Sequence, residues 1–215
     1  MAMLSPDERR RLQRYRRADD RGQHAVGWAI VRRALGLYLG VPPGSVVLDR
    51  SCATCDAQHG PPRLVQPAGD INLSISHAGD VVGVAFLRGR RIGLDIEVER
   101  GGFDYEELID FACAPAERAA LRRSGDAAPR AFLELWTQKE AVLKALGVGL
   151  GVAPQRLVIR GPRSSPAVVG WPGEIPQASR IALRPVTLDG AVCTVAVDGA
   201  LPTVTRIDAS RLIAA

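Results

Sequence analysis

In Arg91-Ile92-Gly93-Leu94-Asp95-Ile96-Glu97 the apolar and polar residues alternate. Residues two apart on a strand face the same way, so Asp95 and Glu97 would present two carboxylates side by side. Like charges that close repel, and a hard cation such as Mg²⁺ relieves the repulsion through oxygen ligands. Ile92, Leu94 and Ile96 mark the opposite face as buried, which suits a metal site and a plain solvent-facing strand edge alike. A second pair, Glu140 and Lys144, is spaced to share one helix face. On a surface such a pair is worth only about 0.3–0.5 kcal/mol. Here Leu135, Trp136, Val142, Leu143 and Leu146 surround it, so the helix is expected to be largely buried. A half-buried Glu and Lys need partners. Glu140 is then a third carboxylate for the metal and Lys144 a cation for a phosphate.

All but two of the 28 basic residues are arginine, and both lysines, Lys139 and Lys144, fall in Trp136–Lys144. An ammonium is a compact point charge and a guanidinium a planar fork. Lysine used only here points to a local need for that point charge, such as a phosphate. Ser74-Ile75-Ser76-His77 ends an expected strand, and His77 is a candidate phosphate contact or a structural histidine. Arg9, Arg10, Arg11, Arg14, Arg16 and Arg17 crowd the first expected helix, a solvated face whose charge could also hold an anion. Cys52, Cys55 and His59 resemble half a zinc site, but no second ligand pair follows; two inert thiols on a turn fit better.

These residues must be positioned by elements that the pattern also predicts. Ser5-Pro6-Asp7-Glu8 has the form of a capping box opening a helix. Asp19-Asp20 opens a second helix, with Val26, Ala29, Ile30, Ala34 and Leu37 at helical spacing, and Gly40-Val41-Pro42-Pro43 ends it. Residues 44–70 read as loop-rich, with short strands at Val46–Leu48 and Arg63–Val65. Ile71–Ser76, Val81–Leu87 and Arg91–Glu97 read as strands. Helices are expected near Tyr105–Ala112, Pro115–Arg123 and Ala128–Leu146. Strands are expected near Arg156–Ile159, Arg180–Pro185, Ala191–Val197 and Thr203–Ile207, with Gly161–Gln177 an exposed loop. Helices then strands, twice over, suggest an α+β fold with two similar halves, 1–88 and 89–215.

The 215 residues, 47% hydrophobic and 24% charged, are ordinary for a soluble globular protein. The formal net charge of +5 suits an anionic partner. No secretory signal opens the chain, and its longest apolar stretch, near Val81–Leu87, is too short to span a bilayer. Four cysteines in a chain this size do not form a disulfide framework. A soluble, cytoplasmic protein with no membrane and no nucleic-acid partner is the expectation.

Together these motifs resemble the 4′-phosphopantetheinyl transferases, in particular the larger, surfactin-synthetase-activating type. The matching elements are Ser74–His77, Gly93–Glu97 and Trp136–Lys144, in the family's order and approximate spacing. The resemblance implies a pseudo-twofold pair of α+β halves with the active site between them. It implies transfer of 4′-phosphopantetheine from coenzyme A to a serine of an acyl, peptidyl or aryl carrier protein, with release of adenosine 3′,5′-bisphosphate. It makes Asp95, Glu97 and Glu140 the Mg²⁺ ligands, Glu140 also the base for the carrier serine, and Lys144 a catalytic contact to the pyrophosphate. Lys139, Ser76 and His77 become coenzyme A contacts, with His77 and Arg11 near the 3′-phosphate. An acidic carrier suits the net positive charge, and the internal repeat suits a monomer.

Three features depart from the family pattern. The strand that usually precedes the Ser-Pro helix is expected to be absent from the first half. Gly60-Pro61-Pro62 replaces a Gly-Lys-Pro or Gly-Arg-Pro element, with Arg63 a substitute. Gln23 and His24 stand where many members carry small or basic residues, implying weaker coenzyme A binding. Two alternatives compete: a metal-dependent nuclease or phosphodiesterase built on Asp95, Glu97 and Glu140, and an arginine-rich nucleic-acid-binding module. The nuclease lacks the lysine expected near the second carboxylate, and the module lacks interleaved aromatics, at 5% of residues.

Overall fold

The computed structural model describes residues 4–52, 58–99, 104–160, 165–173, 175 and 180–213. The chain forms two compact units, Met1–Gly89 with Pro202–Ala215, and Arg90–Leu201. The return of 202–215 to the first unit was not expected.

In the first unit, helix α1 (Pro6–Leu12) opens with the predicted capping box. The Glu8 amide donates to Ser5 Oγ at 3.2 Å, and the Ser5 amide to Glu8 Oε2 at 2.7 Å. Glu8 also pins α1 to the long helix α2 (Ala18–Leu39), because Arg32 Nε and Nη2 donate to its two oxygens at 3.0 and 2.9 Å. Arg32 Nη1 donates to the Val46 carbonyl at 2.5 Å, so this buried guanidinium is well satisfied.

Helix α2 lies on the hairpin of β3 (Ile71–Ala78) and β4 (Val81–Arg88), paired in continuous register from Ile71↔Arg88 to Ala78↔Val81. Gly27 permits the approach: a Cβ there would sit 3.2 Å from Ile75 Cγ2. The Gln23 side chain donates to the Gly79 carbonyl in the hairpin turn. Strands β1 (Val47–Ser51) and β2 (Gln58–Gln66) complete an antiparallel sheet ordered β1-β2-β3-β4. Both are longer than expected, because Pro61 and Pro62 masked the strand pattern of β2. Leu12, Trp28, Val31, Leu35, Val46, Ile71 and Leu73 form the core.

The second unit begins with β5 (Ile92–Val98), followed by α3 (Glu106–Ala112), α4 (Pro115–Arg122) and α5 (Ala128–Leu146). A short ladder, β6 (Val158–Ile159) with β7 (Val168–Gly170), precedes the hairpin β8 (Ile181–Leu188) and β9 (Ala191–Asp198). The sheet order is β5-β9-β8, all antiparallel. Strand β7 falls inside the stretch expected to be loop. Helix α5 packs on β5 and β9 over a core of Ile109, Leu121, Phe132, Leu135, Val142, Leu143, Leu157, Ile181, Leu183 and Ala196. Each unit is thus a long helix on an antiparallel sheet, an α+β architecture.

Thr203–Ile207 is not a strand. These residues are exposed and irregular, and they lead to α6 (Ser210–Ile213), which packs on α2. Despite their β-branched composition they pair with no strand, and pairing rather than propensity makes one.

Candidate active site

Gly93 brings the two acidic motifs together. A Cβ at that position would overlap the Ala141 carbonyl and lie 2.5 Å from the Ala145 amide nitrogen, so α5 touches the strand backbone directly. Asp95 and Glu97, two and four residues on, share that face. The carboxylates therefore face α5 rather than solvent, and Asp95 is only 4% exposed. Lys144 Nζ donates to Asp95 Oδ1 at 2.6 Å. Glu97 Oε1 accepts from the Trp136 indole at 3.2 Å.

Glu140 stands next to this pair. Burial, then the Asp95 charge, raise its carboxyl above the usual range, and Lys144 opposes them. Glu140 Oε1 is buried and meets no hydrogen-bond donor among the described residues. The same burial, then Asp95, push the Cys193 thiol up to about 12, so it is inert. The described residues contain no ready-made group of three His, Cys, Asp or Glu side chains that could hold a metal. The acidic trio expected from the sequence is therefore only partly assembled: Asp95 and Glu140 interact, while the Trp136 indole engages Glu97.

Lys139 corrects the sequence reading. It is fully buried, and its Nζ donates to the Ala112 carbonyl at 2.8 Å, Glu117 Oε2 at 2.6 Å and the Pro154 carbonyl at 3.0 Å. An ammonium has three donors, and all are spent inside the unit. Glu117 in turn accepts from the Ala114 and Ile159 amides, at 2.7 and 2.8 Å. The point charge at Lys139 ties α3, α4, α5 and β6 together and does not face a ligand.

In the first unit, Arg11 and His77 act electrostatically on His24, as does Arg50, which the sequence reading did not single out. Arg63, the expected substitute for the missing basic residue, is exposed on β2 and is not among the charges that shift His24. Ser76 is buried, and strand alternation turns it to the face opposite His77. His24 is nine-tenths buried: Trp28 Nε1 donates to its Nε2 at 3.0 Å, and the Tyr15 hydroxyl lies 3.2 Å from its Nδ1. The one sequence signal was the four-residue spacing of His24 and Trp28 on a helix. Of the half zinc site, Cys55 and the His59 side chain lie outside the described residues.

The second unit thus places a strand aspartate, paired to a helix lysine, beside a buried glutamate. Residues 91–196, all in the second unit, match the family model of the 4′-phosphopantetheinyl transferase superfamily. The chain is 35% identical over 152 residues to the 4′-phosphopantetheinyl transferase HetI of Nostoc sp., covering 69% of this chain and 62% of that protein. It is 32% identical over 168 residues to a phosphopantetheinyl transferase of Thraustochytrium sp., covering 72% and 56%. It is also 30% identical over 171 residues to the L-aminoadipate-semialdehyde dehydrogenase-phosphopantetheinyl transferase of Schizosaccharomyces pombe, covering 73% and 64%. Residues 91–196 belong to the 4′-phosphopantetheinyl transferase superfamily, and the chain spans less than two thirds of the length of these curated relatives. No helix among the described residues is long and apolar enough to cross a membrane.

Proposed function

We propose that this chain transfers the 4′-phosphopantetheine group of coenzyme A to a serine of an acyl, peptidyl or aryl carrier protein and releases adenosine 3′,5′-bisphosphate. The observation that carries the reading is the Asp95–Lys144 pair beside buried Glu140, inside the segment that matches the superfamily. The comparisons support neither the nuclease nor the nucleic-acid-binding alternative.

Each side chain has a task on this reading. Glu140, whose carboxylate is made more basic by burial and by Asp95, accepts the proton of the carrier serine in its ionised form, directly or through water. Lys144 reaches from α5 toward the strand carboxylates and contributes positive charge where the pyrophosphate lies. Trp136 holds Glu97 by its indole N–H. A buried Glu140 oxygen with no donor, repelled by Asp95, is a fit for a divalent cation; Asp95 and Glu140 would hold it, with Glu97 a third ligand. Such a cation supplies Lewis-acid neutralisation of pyrophosphate charge. An acidic carrier matches the positive net charge, and a cytoplasmic monomer is part of the same proposal.

Intact-mass spectrometry of an apo carrier protein incubated with the chain, coenzyme A and Mg²⁺ tests the reading. The expected result is a gain of one phosphopantetheine that EDTA abolishes. No gain across acyl, peptidyl and aryl carriers refutes it.

A further inference from the structure

A cavity of about 190 Å³ lies within the second unit, between α5 and the hairpin of β8 and β9. One stripe of α5, Arg130, Glu134 and Gln138, forms its roof at four-residue spacing. Pro185, Val192 and Thr194 form its floor. Pro185 pairs with Thr194 and Thr194 with Asp95, so the floor belongs to the sheet face that meets α5. Neither Glu140 nor Lys144 lines the cavity, because helical spacing turns Gln138 about 160° away from Glu140.

Gln138 is only 1% exposed, and its Oε1 is buried and meets no donor among the described residues. Its neighbours cannot supply one. The Thr137 hydroxyl donates to the Glu134 carbonyl at 3.0 Å. A hydroxyl has one proton, so across the 3.1 Å contact between Thr137 and Thr194 the donor is Thr194. Both threonine protons are therefore spent, and Pro185 has no N–H. A buried acceptor without a donor destabilises the folded chain, and a ligand that brings a donor removes that penalty.

The outer end of the stripe is charged. Arg130 faces two carboxylates, Glu134 at 3.4 Å and Glu99 at 3.9 Å, and both contacts are long. One guanidinium between two carboxylates leaves negative charge in excess. Glu134 lies one turn from Gln138, so a single group can reach both side-chain oxygens. Such a group needs positive charge and several donors, and an ammonium carries three. Pro185 and Val192 offer an apolar floor for methylenes. At about 30 Å³ per water, the cavity has room for an alkyl chain of about four carbons.

We infer that Gln138 and Glu134 form a binding site for a primary alkylammonium, a free small amine. Its nitrogen donates to Gln138 Oε1 and to the Glu134 carboxylate, and its chain lies on Pro185 and Val192. The site stands across α5 from Glu140 and is independent of the coenzyme A reading.

Titration of the isotope-labelled full chain with n-butylammonium chloride, followed by NMR of the glutamine side-chain amides, tests it. Gln138→Met assigns the Gln138 signal by removing it. That signal should move saturably, in the millimolar range expected for a ligand of about five heavy atoms. Butyltrimethylammonium keeps the charge without the N–H donors, and n-butanol keeps a donor without the charge. Each should bind at least about tenfold more weakly, the loss of a charged hydrogen bond. Gln138→Met and Glu134→Gln should each weaken butylammonium by about tenfold, read from the backbone signals around the cavity. Gln138→Met removes an unpaired acceptor at similar volume, so it should melt no lower than the parent; Glu134→Gln, at the outer end, carries the test alone if that variant does not fold. Equal affinity for butylammonium and its trimethyl analogue overturns the inference. So does a Gln138 signal that does not move, or parent-like binding by the folded variants.

Discussion

Replacing Lys139 by Met tests whether this lysine is part of the framework or a ligand contact. Met keeps the length of the side chain and removes the ammonium. Glu117 then loses its 2.6 Å partner, and the Ala112 and Pro154 carbonyls lose their 2.8 and 3.0 Å donor, all in a dry interior. Breaking one side of a buried ion pair costs about 3–5 kcal/mol, a large share of a typical folding free energy of about 5–15 kcal/mol. With a urea dependence of about 2 kcal/mol per molar, the midpoint should fall by roughly 1.5–2.5 M. Tryptophan fluorescence, to which Trp136 contributes from within the affected helix, reports the transition. Glu117→Gln alone should also destabilise. The double variant should be less unstable than the two losses added, because the charges leave together. The KM for coenzyme A of the folded fraction should not change. A midpoint indistinguishable from the parent's, combined with a raised KM, would refute the structural role and return Lys139 to the ligand.

Glu140→Gln should reduce transfer by about 10²–10⁴-fold, the usual contribution of a positioned base, and should raise the melting temperature because a buried charge beside Asp95 is removed; normal turnover would overturn the assignment. Gly93→Ala should cost about 1–3 kcal/mol or more through overpacking and should abolish transfer, read by melting and by carrier mass, since α5 must leave the strand. Acid stability should depend on His24. Its folded value of about 4 lies below the model-peptide 6.5, so the unfolded chain takes the proton first. Stability therefore falls as pH drops below 6.5 and levels off below about 4, by at most about 3 kcal/mol. His24→Gln should flatten urea midpoints measured across that window.

Much of the framework was legible because its signals are local. The Ser5–Glu8 cap, the glycine after α2 and the alternation of β5 each depend on neighbours a few residues away. The acidic face was legible as a pattern, but its direction was not: only the contact of Gly93 with Ala141 shows that it meets α5. Lys139 misled because a rare lysine in an arginine-rich chain reads the same whether its partner is a phosphate or Glu117, 22 residues away. Tyr15, His24 and Arg50 meet only once α2 lies against the sheet edge. Thr203–Ile207 had strand composition but no strand to pair with.

The return of residues 202–213 to α2 makes the second unit an insertion in the first. On a ribosome, where chain segments emerge in order, Arg90–Leu201 is available in full before the first unit has received its last piece. The segment carrying Asp95, Glu140 and Lys144 can mature while the unit carrying Tyr15 and Arg50 still waits for α6. A nascent chain arrested after Leu201 should therefore protect α5 from protease and leave α2 open to it.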